Sequence, residues 1–306
     1  MNHDEIIFLE PYYDVKIWGG KKLKKFGFNI PSEKTGEAWL ISAIKGKSSI
    51  VTNPNYNKMN LYDFFNKYRD DFFGSYPKEY PLLTKIIDAN DDLSVQVHPN
   101  DEYARKHHNK LGKTECWYIL DCQKNSSIIY GHKAKTRKDM EEIFENNNWS
   151  KILKEKKTHK SDFFFVPSGT VHAIGKGNLI FELQQSSDIT YRLYDYNRKE
   201  KDGSYRELHI KDSLNVIDFP FEKPLIKNYR NKKNFLVHCD LFKLKKIYLN
   251  KSVVNIPSQK YWIQGTIIDG MCKINMVDAK KGSSFISKAN TPLRIEGSGL
   301  ILLSWV

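Results

Sequence analysis

Asp91-Asp-Leu-Ser-Val-Gln-Val-His-Pro-Asn-Asp-Glu-Tyr-Ala104 is the stretch from which the rest of the chain is most readily read. Side chains two apart on a strand point to one side, so Ser94, Gln96 and His98 face together and Leu93, Val95 and Val97 face the other way. The histidine falls at the end of the strand, just before a Pro99-Asn100-Asp101 turn. A histidine so placed serves as a turn residue, as a satisfied core residue or as a metal ligand, and the neighbouring segments decide between these.

Outward from this stretch, short apolar runs dominate: EIIFLE, GEAWLIS, LLTKIIDA, ECWYIL, SSIIYG, DFFFVPSG, LIFELQQ and ITYRLYDY. Gly, Pro, Asn or Asp bounds most of them, a pattern of many short strands that predicts a sandwich, barrel or jelly roll. Helices are expected in three places. Leu61, Phe64, Phe65, Tyr68 and Phe72 recur at helical spacing. TRKDMEEIFENNNWSKILKEK reads as one or two helices with charged outer faces, and ELHIKDSLNVIDF as a short one. Past residue 225 a basic linker, KNYRNKKNF, precedes a second set of strands from LFKLKKIYL to LILLSWV. The expected division is residues 1–225 as a metal-binding catalytic domain with a helical insertion, and 226–306 as a smaller all-β domain.

The bulk numbers remove several function classes. A chain of 306 residues with 40% hydrophobic and 28% charged residues has a globular balance. No apolar run reaches the ~18 residues of a membrane span. The first twenty residues carry early acidic groups and no apolar core of a signal peptide. The four cysteines, Cys116, Cys122, Cys239 and Cys272, form no C-x-x-C pair. Scattered thiols fit a reducing compartment, and a cytoplasmic location is expected. The net charge of +13 comes from lysines spread along the chain. No sustained basic stripe or nucleic-acid motif accompanies it, so neither a nucleic acid nor a membrane is expected as a partner, and an anionic small molecule is compatible with the charge.

Two further clusters join the first. In GKTECWYIL, Lys113, Glu115 and Trp117 share one strand face, with Cys116 and Tyr118 on the other. A glutamate inside so apolar a strand is either at an edge in water, or paired or ligated. In DFFFVPSGTVHAIGKG, four apolar residues end at Pro167, Gly169 supports a tight turn, and His172 opens the next strand. His98, Glu115 and His172, with the Gln96 amide nearby, offer a donor set that suits a borderline divalent cation such as Zn²⁺ and leaves a position open for water or substrate. The other histidines, His107 and His108 among them, read as surface residues.

Pro167-Ser-Gly-Thr-Val-His172 resembles the second metal motif of cupin barrels, with Lys176 where an Asn often stands. Gln96-Val-His98 replaces the usual H-x-H of the first. SVQVHPND, GKTECWYIL, VPSGTVHAIG and SSDITYRLYDYNR, in this order and spacing, are similar to the zinc-dependent type I mannose-6-phosphate isomerases, in their short bacterial form. The resemblance implies a cupin-like jelly roll, one Zn²⁺ per chain and an aldose–ketose isomerisation of mannose 6-phosphate and fructose 6-phosphate. It implies His98, Glu115, His172 and Gln96 as metal ligands and Arg192 as an active-site arginine. Asp188 and the lysines Lys85 and Lys113 are the matching pocket residues, Lys113 as base or phosphate anchor and Lys85 as a second candidate for the phosphate. Asp188, Thr190 and Arg192 step by two and are expected on one strand face. The residues themselves leave two other classes open: another metal-dependent cupin enzyme, such as an oxygenase or a different sugar-phosphate isomerase, and a non-enzymatic carbohydrate-binding β-sandwich.

Overall fold

The computed structural model describes residues 5–146, 148–200, 202–224 and 234–306. In chain order the strands are β1 (Ile6–Glu10), β2 (Tyr12–Gly20), β3 (Thr35–Ile41), β4 (Ile50–Val51), β5 (Leu82–Asp88), β6 (Val95–Val97), β7 (Glu115–Asp121), β8 (Ser127–His132), β9 (Leu153–Lys157), β10 (Phe163–Val166), β11 (His172–Ile174), β12 (Leu179–Gln185) and β13 (Tyr191–Tyr194). The carboxyl-terminal part adds β14 (Phe235–His238), β15 (Lys243–Ile256), β16 (Gln264–Ile274), β17 (Val277–Lys280), β18 (Ser284–Ser287) and β19 (Leu293–Trp305). The helices are α1 (Leu61–Lys67), α2 (Asp101–His108), α3 (Arg137–Asn146), α4 (Trp149–Ile152) and α5 (Ile210–Val216).

Two sheets form a cupin-like jelly roll that does not close. One runs β10-β7-β12-β5-β3-β2 and the other β13-β6-β11-β8-β9. Strand alternation decides what each sheet buries. Trp117 and Ile119 of β7, Ile87 of β5 and Ile180 of β12 meet Ile128, Tyr130 and Ile174 of the other sheet in the space between them. Cys116, Tyr118 and Leu120 point the opposite way, into a core shared with α1 and the carboxyl-terminal sheet. Val95 and Val97 lie on the outer face of the smaller sheet, under Met140 of α3, Trp149 of α4 and Leu214 of α5. Both faces of these strands are covered, so they read as nearly continuous apolar runs.

The third sheet runs β14-β15-β19-β16-β18-β1-β4, with β17 on β16. The first strand of the chain therefore sits among the last: Ile7 pairs with Ile286 of β18 and Leu9 with Val51 of β4. The expected boundary at 225/226 and most of its basic linker lie outside the described residues, and Phe235 at the linker's end opens β14. A buried polar seam joins this sheet to the jelly roll, where the Tyr80 hydroxyl donates to Gln264 Oε1 at 2.5 Å and Gln264 Nε2 donates to Thr84 at 2.8 Å.

Several local expectations change. The Pro-Asn-Asp turn opens α2, with Asn100 accepting from the Tyr103 amide at 2.9 Å, acidic residues in the first turn and basic residues in the last. The LKEK of the expected charged helix is the edge strand β9, whose exposed lysines discourage further pairing. LRIEG and LILLSWV are one strand, β19. Leu93 precedes β6 and packs between the sheets, apart from Val95 and Val97. His132 is buried beside Phe219 and Phe221 rather than on the surface.

Candidate metal centre and active site

Three chain crossings carry the expected ligands to one point. His98 follows β6, Glu115 opens β7 and His172 opens β11. The turns that present them are tied together by backbone bonds. Gly169, at φ +85°, donates its amide to the His98 carbonyl at 2.9 Å, and the Lys113 amide donates to Pro99 at 2.9 Å. Gly112 packs so closely on this turn that a Cβ would meet the Asn100 carbonyl carbon at 2.4 Å. Glycine is thus required where the Lys113–Glu115 segment crosses the loop after His98.

The donor atoms meet at distances that fit one ion. His98 Nε2 lies 3.4 Å from Glu115 Oε2, and His172 Nε2 lies 3.3 Å from Glu115 Oε1. All three donors lie within 4.8 Å of one another. A tetrahedral ion with bonds of ~2.1 Å separates neighbouring ligands by about 3.4 Å. The side chains are 1% exposed or less, and β7 is an interior strand, so Glu115 is not an edge residue in water. His172 Nδ1 donates to the Thr170 carbonyl at 2.8 Å, which turns the lone pair of Nε2 toward the carboxylate. A backbone carbonyl holding the far nitrogen of a ligating histidine is the usual support of such a site. A lone pair facing a buried carboxylate is repulsive unless a cation stands between them, which is the fit expected of a metal site.

Part of that positive charge comes from Lys113. Its Nζ is 3.0 Å from His98 Nε2 and 3.3 Å from Glu115 Oε2. Burial opposes ionisation of Glu115, yet the Lys113 ammonium holds its carboxyl well below the ordinary range. Burial, with Lys113 close by, pushes His98 down to about 3, and burial lowers His172 too, so both imidazoles are neutral and able to ligate. Gln96 pairs in register with His172 and with Arg192. Its Nε2 lies 3.3 Å from His172 Nε2, and rotating the amide would put a carbonyl oxygen there instead.

Beside the ligands lies a cavity of about 290 Å³ lined by Gln96, Lys113, Lys85, Asp188, Thr190, Arg192 and others. Asp188 precedes β13 rather than lying on it, but it lines the cavity with Thr190 and Arg192 as expected, and its carboxylate pairs with Lys110 at 2.7 Å. Arg192 Nη1 donates to the Glu207 carbonyl at 2.7 Å, and its buried Nε has no hydrogen-bond partner among the described residues. Lys85 is buried between carboxylates, 3.2 Å from Glu182 and 3.7 Å from Glu37. Burial alone would lower its pKa, but these two glutamates raise it.

Glu182 and Glu37 are the carboxylates beside Lys85 in the cavity, and no sequence motif singles them out. The signal was present in FELQ and GEAW, each an ionisable residue inside an apolar strand. The Trp117 indole N–H bridges Glu182 Oε1 at 3.0 Å and Glu115 Oε1 at 3.1 Å, so Glu182 is held beside the ligand set. Burial and the nearby Glu115 raise the Glu182 pKa.

Comparison with known proteins agrees with this geometry. The family description "Phosphomannose isomerase type I, catalytic domain" matches residues 6–125. Mannose-6-phosphate isomerase ManA of Bacillus subtilis (strain 168) is 45% identical over 272 residues, covering 87% of this chain and 86% of that protein. The crystal structure of the mannose 6-phosphate isomerase from Bacillus subtilis superposes with a TM-score of 0.92 at 36% identity, over 99% of this chain and 100% of that one. A mannose 6-phosphate isomerase in its zinc-bound form shares the fold, with a TM-score of 0.76 at 14% identity over 98% of this chain and 99% of that one. The chain belongs to the type I phosphomannose isomerase family, whose members are aldose–ketose isomerases.

Proposed function

We propose that this chain interconverts mannose 6-phosphate and fructose 6-phosphate, with His98, Glu115 and His172 holding one Zn²⁺ and Gln96 completing the set. The observation that carries the reading is the buried His-Glu-His cluster, joined through Lys113 and Gln96 to the wall of a cavity with six cationic side chains. Family membership favours it over an oxygenase or a non-enzymatic sandwich. The zinc would supply a Lewis acid for the carbonyl oxygen of the open sugar.

The chain's own residues do the rest. Glu182 takes the proton from C2, and the C–H electron pair becomes the C1=C2 double bond of an enediolate. Its raised pKa suits a proton acceptor that must also give the proton back. Arg192, with one buried nitrogen unpartnered, stabilises the oxyanion that develops on the sugar. Glu182 then returns the proton to C1 while the C2 hydroxyl proton passes to the C1 oxygen, which leaves the ketose. Lys113 keeps Glu115 ionised and faces the sugar oxygens. Asp188, tied to Lys110, forms the rim and orients hydroxyl groups.

All these residues fall in the span 1–225 expected as the catalytic domain, and no residue of 226–306 lines the cavity among the described residues. A cytoplasmic location is supported by four free thiols. No helix among the described residues is long and apolar enough to cross a membrane. The deciding experiment is isomerase activity on mannose 6-phosphate before chelation, after it and after zinc add-back. Full activity in the metal-free protein would refute the metal role, and no activity in the zinc-loaded protein would refute the isomerase.

A further inference from the structure

We propose that Lys47 receives the phosphate of the substrate, and is the side chain by which the cavity separates a phosphorylated sugar from a neutral one. The inference rests on the isomerase reading and extends it to a residue that neither the sequence motifs nor the metal geometry singled out.

The cations lining the cavity are Lys16, Lys47, Lys85, Lys113, Arg192 and Arg206. A sugar phosphate brings a charge of roughly −1.5 to −2 and needs cations that are not already neutralised. Lys16 is 2.8 Å from Asp14, and Arg206 donates to Asp195 at 2.7 Å. Lys113 serves Glu115 and His98. Lys85 is enclosed by Glu182 and Glu37, and drawing it away would leave two buried carboxylates without a counter-charge. Among the described residues, two cations remain with no carboxylate at ion-pair distance. Arg192 is anchored by the Glu207 carbonyl and lies in register beside Gln96, at the metal end of the cavity. Lys47 alone has no hydrogen bond or ion pair at its ammonium among the described residues; it rests over the Trp39 ring, 5.2 Å from the centroid. Asp188, which feels the charge of Lys47, is already paired with Lys110. An aromatic face attracts an ammonium and leaves its N–H donors free for an oxyanion.

Position agrees with charge. Glu182 lies opposite Trp117 of β7 and Lys85 of β5, and Lys85 lies opposite Trp39 of β3. This row crosses three strand spacings of ~4.8 Å from the strand that carries Glu115 to the ring under Lys47. The reacting carbons C1 and C2 belong at the first end. The phosphate on C6, at the far end of the open sugar, then belongs at the second. The backbone of Lys47 is held firmly in place. Its amide donates to Ile44 at 2.9 Å across a turn with Gly46 at φ +81°, and its carbonyl accepts from Ser42 Oγ at 2.7 Å.

The experiment compares zinc-loaded wild type with Lys47→Met and with Lys47→Arg. Lys45→Met, an exposed neighbour on the same turn, is the control. Lys47→Met is expected to raise KM for mannose 6-phosphate by about 10- to 100-fold, the effect of losing one charge-assisted contact, with kcat within about 3-fold. Competitive inhibition by inorganic phosphate should weaken by a similar factor. The affinity for unphosphorylated mannose, measured as competitive inhibition, should not change, Lys47→Arg should recover much of the loss, and Lys45→Met should match wild type. If Lys47→Met keeps wild-type KM and phosphate inhibition in an enzyme that isomerises mannose 6-phosphate, Lys47 is not the anchor, though the isomerase reading stands. Direct calorimetric titration with inorganic phosphate needs no turnover, so it tests Lys47 even in a wild type that fails to isomerise. Equal phosphate affinity in wild type and Lys47→Met, or none in either, overturns the proposal.

Discussion

The ammonium nitrogen of Lys113 lies 3.0 Å from Nε2 of His98, beside the very lone pair that a metal ion would take. Lysine and metal therefore compete for one electrostatic niche. Replacing Lys113 with Met should lower the Tm of the metal-free protein, because Glu115 loses its nearest cation. It should raise zinc affinity by about 10-fold, within the range by which groups around metal ligands tune a site. Activity should nevertheless fall. Zinc competition with a chromophoric chelator and thermal melts would measure both signs, and weaker zinc binding by the variant would contradict the competition.

Removing a ligand has a different signature. Glu115→Gln and His172→Ala should each lose bound zinc and most activity while keeping the fold, since the jelly-roll core is apolar and surrounds the site without needing it. Metal content and circular dichroism on purified variants check this. Global unfolding of both would make the site structural.

The proposed roles of Arg192 and Glu182 fall at different moments of the reaction. Arg192→Ala should lower kcat by about 10²–10³ and raise KM less, the pattern of an interaction formed as charge develops. Glu182→Gln should cost a comparable ~10²–10⁴ in kcat, with zinc content intact, and should also abolish exchange of the transferred hydrogen with solvent. A raised KM at wild-type kcat would make Arg192 a binding residue only.

Acid sensitivity should trace to Glu37. Its burial opposes ionisation, but Lys85 beside it takes the carboxyl from 4.5 down to about 2. The unfolded chain therefore binds this proton first as pH falls. The stabilisation is complete above 4.5 and is lost progressively toward 2. Thermal melts across that window should show a steeper fall in Tm for wild type than for Glu37→Gln, and parallel slopes would exclude Glu37 as the source.

The cluster of His98, Glu115 and His172 is legible in the sequence because each stands where a strand meets a turn, and both signals are local. Period-two alternation gave the facing of Glu115, and the P-S-G-T-V-H corner gave His172. Lys85, by contrast, is implied by the resemblance alone as a second candidate for the phosphate. Only the cross-strand register with Glu182 reveals that its charge is taken, and register is not written in either strand alone. Glu37 and Glu182 were hidden for the same reason: an isolated acidic residue in an apolar run says that it is paired, not with what. Helix α2 is signalled by the Asn100 cap and the charge gradient from Asp101 to His108, but Pro99 just before it is equally a turn signal, so the local sequence supports both readings. The pairing of Ile7 with Ile286 leaves no local trace at all.

That pairing carries a consequence for how the protein is made. Translation delivers β1 long before its neighbour β18, and most of the described residues lie between the two. At ~5–20 residues per second, the wait is roughly 15–60 s. Through that interval Ile6, Ile7 and Leu9 have no native sheet partner beyond the two residues of β4. Nascent chains of this protein should therefore hold β1 as an apolar segment available to chaperones until β18 emerges and covers it.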